Sequence, residues 1–207
     1  MTDRKTWTPS DVVDVSGPPA LLRNYLEQRD VRAYLQEAAA RRAIRCAYDI
    51  GCGFGRLTPV LHEVAVEVIG FEREASLLET ARRLVPDVRF EHVAALDALP
   101  VPNASAEFVL TFTVLQHMPN ARAEAVLAEI GRVLSPGGHL LLVEETDETL
   151  EAGDAANADR GYTRGRSVSW YAERVRPGSL FATSPRRIEP GYPRPDVGTY
   201  MLFELPR

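Results

Sequence analysis

From Ile44 to Ile50 the apolar side chains of Ile44, Cys46, Tyr48 and Ile50 alternate with Arg45, Ala47 and Asp49, the two-residue period of a β-strand. A helix pattern runs from Arg56 to Glu63, and Pro59 fits it only in the first turn, where a missing N–H breaks no bond. Val66 to Phe71 reads as a second, buried strand. Ala75 to Leu84 forms a helix stopped by Pro86, and Val88 to Val93 and Phe108 to Phe112 supply two more strands. Arg122 to Leu134 sets Val126, Leu127, Ile130, Val133 and Leu134 on one helical face, with Gly137 and Gly138 past its end. His139 to Val143 then reads as a fifth strand. Strands alternating with helices predict a parallel sheet with crossover helices.

The flanks have a different texture. Ala20 to Arg42 is helical in pattern, with Asp30 a candidate cap between a piece carrying Leu21, Leu22, Tyr25 and Leu26 and a piece carrying Val31, Tyr34, Leu35 and Ala38. Thr146 to Arg166 is polar and reads as a long loop or insertion, a length at which loops often carry function. Ser167 is placed to cap a short helix through Val175, ended by Pro177 and Gly178. Leu180 to Ile188 and Val197 to Leu205, parted by a proline-rich turn, read as two closing strands. The expected organisation is one domain: a helical cap over 1–42, a core over 43–145, an insertion and helix over 146–175 and closing strands over 176–207.

Composition narrows the partners. With 207 residues, 45% hydrophobic and 26% charged, the chain is long enough to bury a core and ordinary for a soluble globular protein. A net charge of −5 gives no general attraction to nucleic acid or to an anionic membrane, so recognition has to be local. Two cysteines, Cys46 and Cys52, are too few for a disulfide framework and do not have zinc spacing, so no metal is expected. No apolar run reaches signal-peptide or membrane-span length, and the expected location is the cytoplasm.

Candidate chemistry centres on Asp49-Ile50-Gly51-Cys52-Gly53-Phe54-Gly55, three alternate glycines between a strand and a helix. Such a turn permits positive φ and lets a ligand approach the main chain without meeting a Cβ. The dinucleotide fingerprint G-x-G-x-x-G fails here, because Arg56 stands where its third glycine belongs.

The D-x-G-x-G-x-G spacing instead resembles motif I of the class I S-adenosylmethionine-dependent methyltransferases, and four further segments follow in that family's order. These are Glu72 at the end of the second strand, Leu96-Asp97-Ala98-Leu99-Pro100 after the third, Thr113 to Pro119 after the fourth, and the stretch Ile130 to Gly138 leading into the fifth. The resemblance implies an α/β fold, a doubly wound and mostly parallel seven-stranded sheet with helices on both faces and a C-terminal antiparallel hairpin. It also implies S-adenosylmethionine as cofactor and S-adenosylhomocysteine as product. The cofactor-binding residues it implies are Asp49, Gly51, Cys52, Gly53, Gly55, Glu72, Arg73, Leu96, Asp97 and Thr113, with the Glu72 carboxylate accepting both ribose hydroxyls. Ala95 stands where many members carry an aspartate for the adenine amino group, so that contact falls to Asp97 or to a backbone group near Leu96, unless Asp97 is only a solvated loop residue. Glu107, where an aspartate is usual, reads as an exposed strand-edge carboxylate.

The acceptor side is less determined. His117 is a candidate base at the reactive end, or a histidine that packs near the cofactor. Glu144 and Glu145 lie at the edge where such sheets bind ligands, one to hold an amine or act as base, one to be solvated. Arg160, Arg164 and Arg166, with Tyr162, Trp170 and Tyr171, form either an acceptor-recognising lid or a solvated charged loop. No Asn-Pro-Pro-aromatic motif follows the fourth strand, neither cysteine stands where a cytosine C5 enzyme needs its nucleophile, and Thr111 and Thr113 replace the carboxylates of metal-dependent catechol methylation. Those absences direct the reading to O- or N-methylation of a small molecule. A SAM-binding regulatory protein without catalysis, or a nicotinamide oxidoreductase, are the alternatives.

Overall fold

The computed structural model describes residues 17–146, 165–175, 177–187 and 196–207. Its elements are α1 (Gly17–Arg41), β1 (Cys46–Ile50), α2 (Thr58–His62), β2 (Glu67–Glu72), α3 (Ala75–Leu84), β3 (Arg89–His92), β4 (Ala106–Phe112), α4 (Asn120–Val133), β5 (Leu134–Glu144), α5 (Val168–Arg174), β6 (Ser179–Arg187) and β7 (Asp196–Glu204). They build a seven-stranded sheet in the order β3-β2-β1-β4-β5-β7-β6. β1 pairs in parallel with β2 and β4, and β7 runs antiparallel to both β5 and β6. The expected doubly wound sheet with a closing hairpin is therefore what the chain forms.

Two apolar layers hold the sheet. One face packs Tyr48, Ile50, Val109 and Leu142 against Val126 and Ile130 of α4 and Trp170 and Tyr171 of α5. The other packs Ala47, Val68, Phe108 and Leu141 against Val31 and Leu35 of α1, Leu61 of α2 and Leu78 of α3. Because neighbouring residues of one strand face opposite layers, the inner strands β1, β4 and β5 are apolar at nearly every position, as a sheet buried on both faces requires, whereas the edge strands β3 and β6 carry exposed polar residues.

Three local expectations change. Asp30 does not divide the first helix: α1 is continuous, and Asp30 pairs laterally with Arg29 at 2.6 Å. An aspartate inside a helix costs only about 0.7 kcal/mol relative to alanine, less than a break would lose in packing. Nor do Gly137 and Gly138 form a free turn, since β5 begins at Leu134 straight from α4. Gly137, at φ 70°, donates to the carbonyl of Pro206 and is absorbed into the sheet's margin. Glu107 is not a solvated edge carboxylate either. It accepts from the N–H groups of Arg45 and Cys46 at 3.1 and 2.9 Å and fixes the entry of β1 beside β4.

His139 in β5 is 1% exposed, and neither ring nitrogen has a hydrogen-bond partner among the described residues. Burial holds its pKa below the usual histidine value, with Arg41 and Arg42 adding to the effect and Glu204 opposing it. The neutral ring thus favours the fold fully above about pH 6.5, and that contribution is lost as pH falls, because the unfolded chain takes up the proton first. Urea midpoints measured at pH 7 and pH 5 should fall less for His139→Leu than for the wild type; an equal fall in both would refute the assignment.

Candidate active site

The winding of the sheet reverses between β1 and β4, and a cleft of about 230 Å³ opens there at the C-terminal ends of the strands. The glycine turn follows β1. The N–H groups of Gly51 and Cys52 both donate to the carbonyl of Phe71, at 2.8 and 3.1 Å, so the turn is clamped to the end of β2. Gly51 has φ 75°, and a Cβ there would lie 2.5 Å from Cγ2 of Val114. Backbone conformation and the neighbouring loop both demand glycine at this position. Gly55 serves another purpose. At φ 80°, its missing Cβ leaves room for Phe90, which would otherwise lie 3.0 Å away. Close packing against Phe90 of β3 and Ala81 of α3 uses the third glycine.

Glu72 ends β2 inside the same cleft and is 8% exposed. Its Oε2 accepts from Gly53 N–H at 3.0 Å, while Oε1 accepts from the N–H groups of Arg73 and Glu74 at 2.6 and 2.9 Å. A carboxylate offers about four acceptor directions, so three fixed donors orient it and still leave capacity for a ligand hydroxyl.

Of the residues expected to serve the site, Gly51, Gly53, Glu72, Arg73, Leu96, Thr113 and His117 line the cleft together. Asp49 lies beneath it instead, buried, with its carboxylate taking the Thr58 hydroxyl at 2.6 Å and tying β1 to α2. Burial lifts its pKa to about 6 against the opposing effects of Thr58 and Arg56. Cys52 is buried below the turn, and burial pushes its thiol well above the usual value. Asp97 sits outside the cleft, paired with Arg122 Nη1 at 2.9 Å, and Arg122 itself lines the cavity. Glu145 is half-buried and does not line the cleft; its N–H donates to Gln116 Oε1 at 2.7 Å.

Glu144 is neither solvated nor directed at a substrate. It is 0% exposed, and its Oε1 accepts from the Thr111 hydroxyl and from the N–H groups of Val114 and Leu115. Oε2 accepts from Gln116 N–H at 2.9 Å. Burial raises its pKa, while these N–H donors and Arg166 act in the opposite sense. Arg166 is no lid residue: also 0% exposed, it donates to the carbonyls of Leu115 and Met118 and to Asn120 Oδ1. The carboxylate thus binds the loop's N–H groups and the guanidinium its carbonyls. Together they fix residues 113–118, which carry Thr113 at φ 55° and His117 into the cleft. Trp170 and Tyr171, 5% and 0% exposed, belong to the core beneath α5 rather than to a lid. Ser167 caps that helix as expected, accepting from Trp170 N–H. Arg160, Tyr162 and Arg164 lie outside the described residues.

Sequence reasoning missed Arg122 and Val114, whose roles depend on contacts to other segments. It also missed a buried ionic cluster in which Glu27 of α1 meets Arg56 at 2.7 Å and Arg186 of β6 at 2.6 Å. Burial raises the Glu27 pKa, but Arg186, Arg56 and Arg23 outweigh it and hold the carboxyl at about 2.

Residues 47–138 match the methyltransferase domain family. A curated relative named "Probable S-adenosylmethionine-dependent methyltransferase", from Mycolicibacterium smegmatis, is 33% identical over 141 residues, covering 68% of this chain and 53% of the relative. A methyltransferase of Mycobacterium tuberculosis of undetermined activity is 32% identical over 138 residues, covering 64% of this chain and 54% of its own length. The chain spans about half the length of the curated relatives it matches. Among solved structures, the N-methyltransferase NodS of Bradyrhizobium japonicum, in complex with S-adenosylhomocysteine, superposes with a TM-score of 0.70 at 13% identity, covering 94% of this chain and 95% of that one. At that identity the likeness is one of fold.

Removing the Glu144 carboxylate leaves buried N–H donors without their acceptor and the buried Arg166 guanidinium without its countercharge. Glu144→Ala is expected to destabilise the chain by about 3–5 kcal/mol in urea unfolding, and Glu144→Gln by clearly less. A loss below about 1 kcal/mol for the alanine variant, the range of an exposed site, would contradict the anchoring role.

Proposed function

Because the chain belongs to the class I S-adenosylmethionine-dependent methyltransferases, we propose that it binds the cofactor in the cleft at the β1–β4 switch point and methylates an oxygen or nitrogen atom of a small-molecule acceptor. Membership in that family sets aside a nicotinamide oxidoreductase. The observation that carries the proposal is the shared cleft of Glu72, clasped to Gly53, and His117, held over the same cavity by the anchored loop.

When bound, the cofactor supplies a methyl group already made electrophilic by its sulfonium. The chain's own residues then have to bind, orient and exclude water. Glu72 would accept the two ribose hydroxyls, for which a fixed, buried carboxylate is suited. Leu77 and Leu96 give the same end of the cleft apolar walls for a flat base. Thr113 and His117 stand at the end of β4, where the acceptor would enter. Holding reactants in line can lower the barrier by about 7–11 kcal/mol, so orientation is the larger part of the work.

His117 would take the proton of an acceptor hydroxyl or ammonium onto a ring nitrogen. Its Nε2 lies 3.5 Å from the side-chain nitrogen of Gln116, whose own oxygen is held by Glu145 N–H. For Nε2 to take that proton, the long Gln116 contact has to yield to the acceptor while Nδ1 carries the ring's own hydrogen. A positioned base of this kind contributes about 100-fold or more. The net charge of −5 supports a small molecule rather than a nucleic acid or membrane as the partner.

Two measurements test the reading on the full chain. Calorimetry with S-adenosylhomocysteine should show binding that Glu72→Ala weakens by about tenfold or more and His117→Asn leaves in place. In a labelled methyl-transfer screen over small alcohols, phenols and amines, His117→Asn should lower kcat on hydroxyl acceptors by about 100-fold with little change in KM. Absence of binding heat in the wild type would overturn the proposal, and an unchanged kcat would remove His117 as base.

A further inference from the structure

Arg122 lines the cleft from the first turn of α4, and its Nη1 lies 2.9 Å from Oδ2 of Asp97, the residue that follows the cleft-lining Leu96. The pair therefore ties the start of α4 to the loop between β3 and β4, beside the apolar wall assigned above to the base. Arg73, the other arginine of the cleft wall, is held instead by its neighbour Glu74, at 3.0 Å.

Stability does not account for Arg122. The first turn of α4 holds no acidic residue, and a cation there opposes the helix dipole, which favours negative charge at an N-terminus. The two side chains are 45% and 20% exposed, and ion pairs open to solvent in this way contribute little to folding. What the pair supplies is orientation. Asp97 keeps the guanidinium at the cavity wall, while Nε and Nη2 have no hydrogen-bond partner among the described residues.

Polarity then decides what such a wall can read. A carboxylate only accepts, and would take hydrogens from the 6-amino group of an adenine. A guanidinium only donates, and meets the ring nitrogens or the π face of the same base. With the Asp97 carboxylate drawn to Arg122, the side chain presented to the cleft is the donor.

We propose that Arg122, oriented by Asp97, recognises the base of the cofactor through its ring nitrogens and π face, leaving the 6-amino group unread. The assignment rests on the methyl-transfer reading above and specifies how the base end of that cleft selects its ligand. Asp97 is the positioning residue.

The test titrates the full chain with S-adenosylhomocysteine and with its purine analogue, in which hydrogen replaces the 6-amino group. The wild type should bind the two within about threefold of each other; a loss of tenfold or more for the analogue would show that the amine is read and overturn the proposal. Arg122→Met, which keeps an apolar stem and removes the donors, should weaken both ligands by about tenfold at an unchanged urea midpoint. Unaltered affinity, or weaker binding together with a lowered midpoint, would also overturn it. Asp97→Asn should weaken both ligands alike, by about threefold. If it weakens S-adenosylhomocysteine alone, Asp97 reads the amine itself and the proposal fails. A wild type that binds neither ligand sinks the methyl-transfer reading, whereas tight binding that depends on the amine sinks only this inference.

Discussion

Three backbone N–H groups converge on the carboxylate of Glu72, and one of them, from Gly53, belongs to a different segment from the other two. That bond adds a side-chain link to the main-chain clamp between the glycine turn after β1 and the end of β2. It gives the cleft a fixed acceptor and a fixed floor at once. Were Glu72 free to rotate into solvent, the turn would keep its clamp on Phe71 but lose the fixed acceptor on its concave side, to which we assign the ribose hydroxyls.

The other side of the cleft repeats the device with Glu144. This carboxylate also closes a strand and also binds successive N–H groups of a neighbouring loop, but it is sealed from solvent and offers nothing to a ligand. Arg166, more than forty residues from the loop it serves, completes the support by capturing the opposite polarity of the same peptide groups. One acid thus stands at the cavity surface, where the proposal gives it the ribose, and its counterpart is spent on holding the loop that carries His117. The difference is burial and not residue type, so neither role follows from an acidic residue at a strand end alone.

The parallel sheet and its helices were legible because the inner strands are buried on both faces and the helices packed on them carry apolar positions at helical spacing, patterns that need no knowledge of partners. Ser167 was readable as a cap for the same reason, since its partner lies three residues away. The glycine turn and Glu72 could be placed by spacing. What stayed hidden depends on distant contacts. Glu144 and Arg166 read as active-edge or lid charges because polar residues ordinarily face water, and nothing local announces that a loop will satisfy them. Glu27 likewise sits in a helix of unremarkable pattern, and its meaning appears only with Arg186, 159 residues later. Asp97 was drawn toward the adenine contact by its position in a motif, while the described structure gives its carboxylate to Arg122.

If Glu72 and the turn at Gly51 to Gly53 form one receptor for an adenosyl ligand, a crystal structure of the full chain grown with S-adenosylhomocysteine will display it. The ribose hydroxyls should lie on the Glu72 carboxylate, the base beside Leu77 and Leu96, and the sulfur at the end of β4 near Thr113 and His117. Density for the nucleoside at another site, or in this cleft with the ribose turned away from Glu72, would show that the receptor is not the one described.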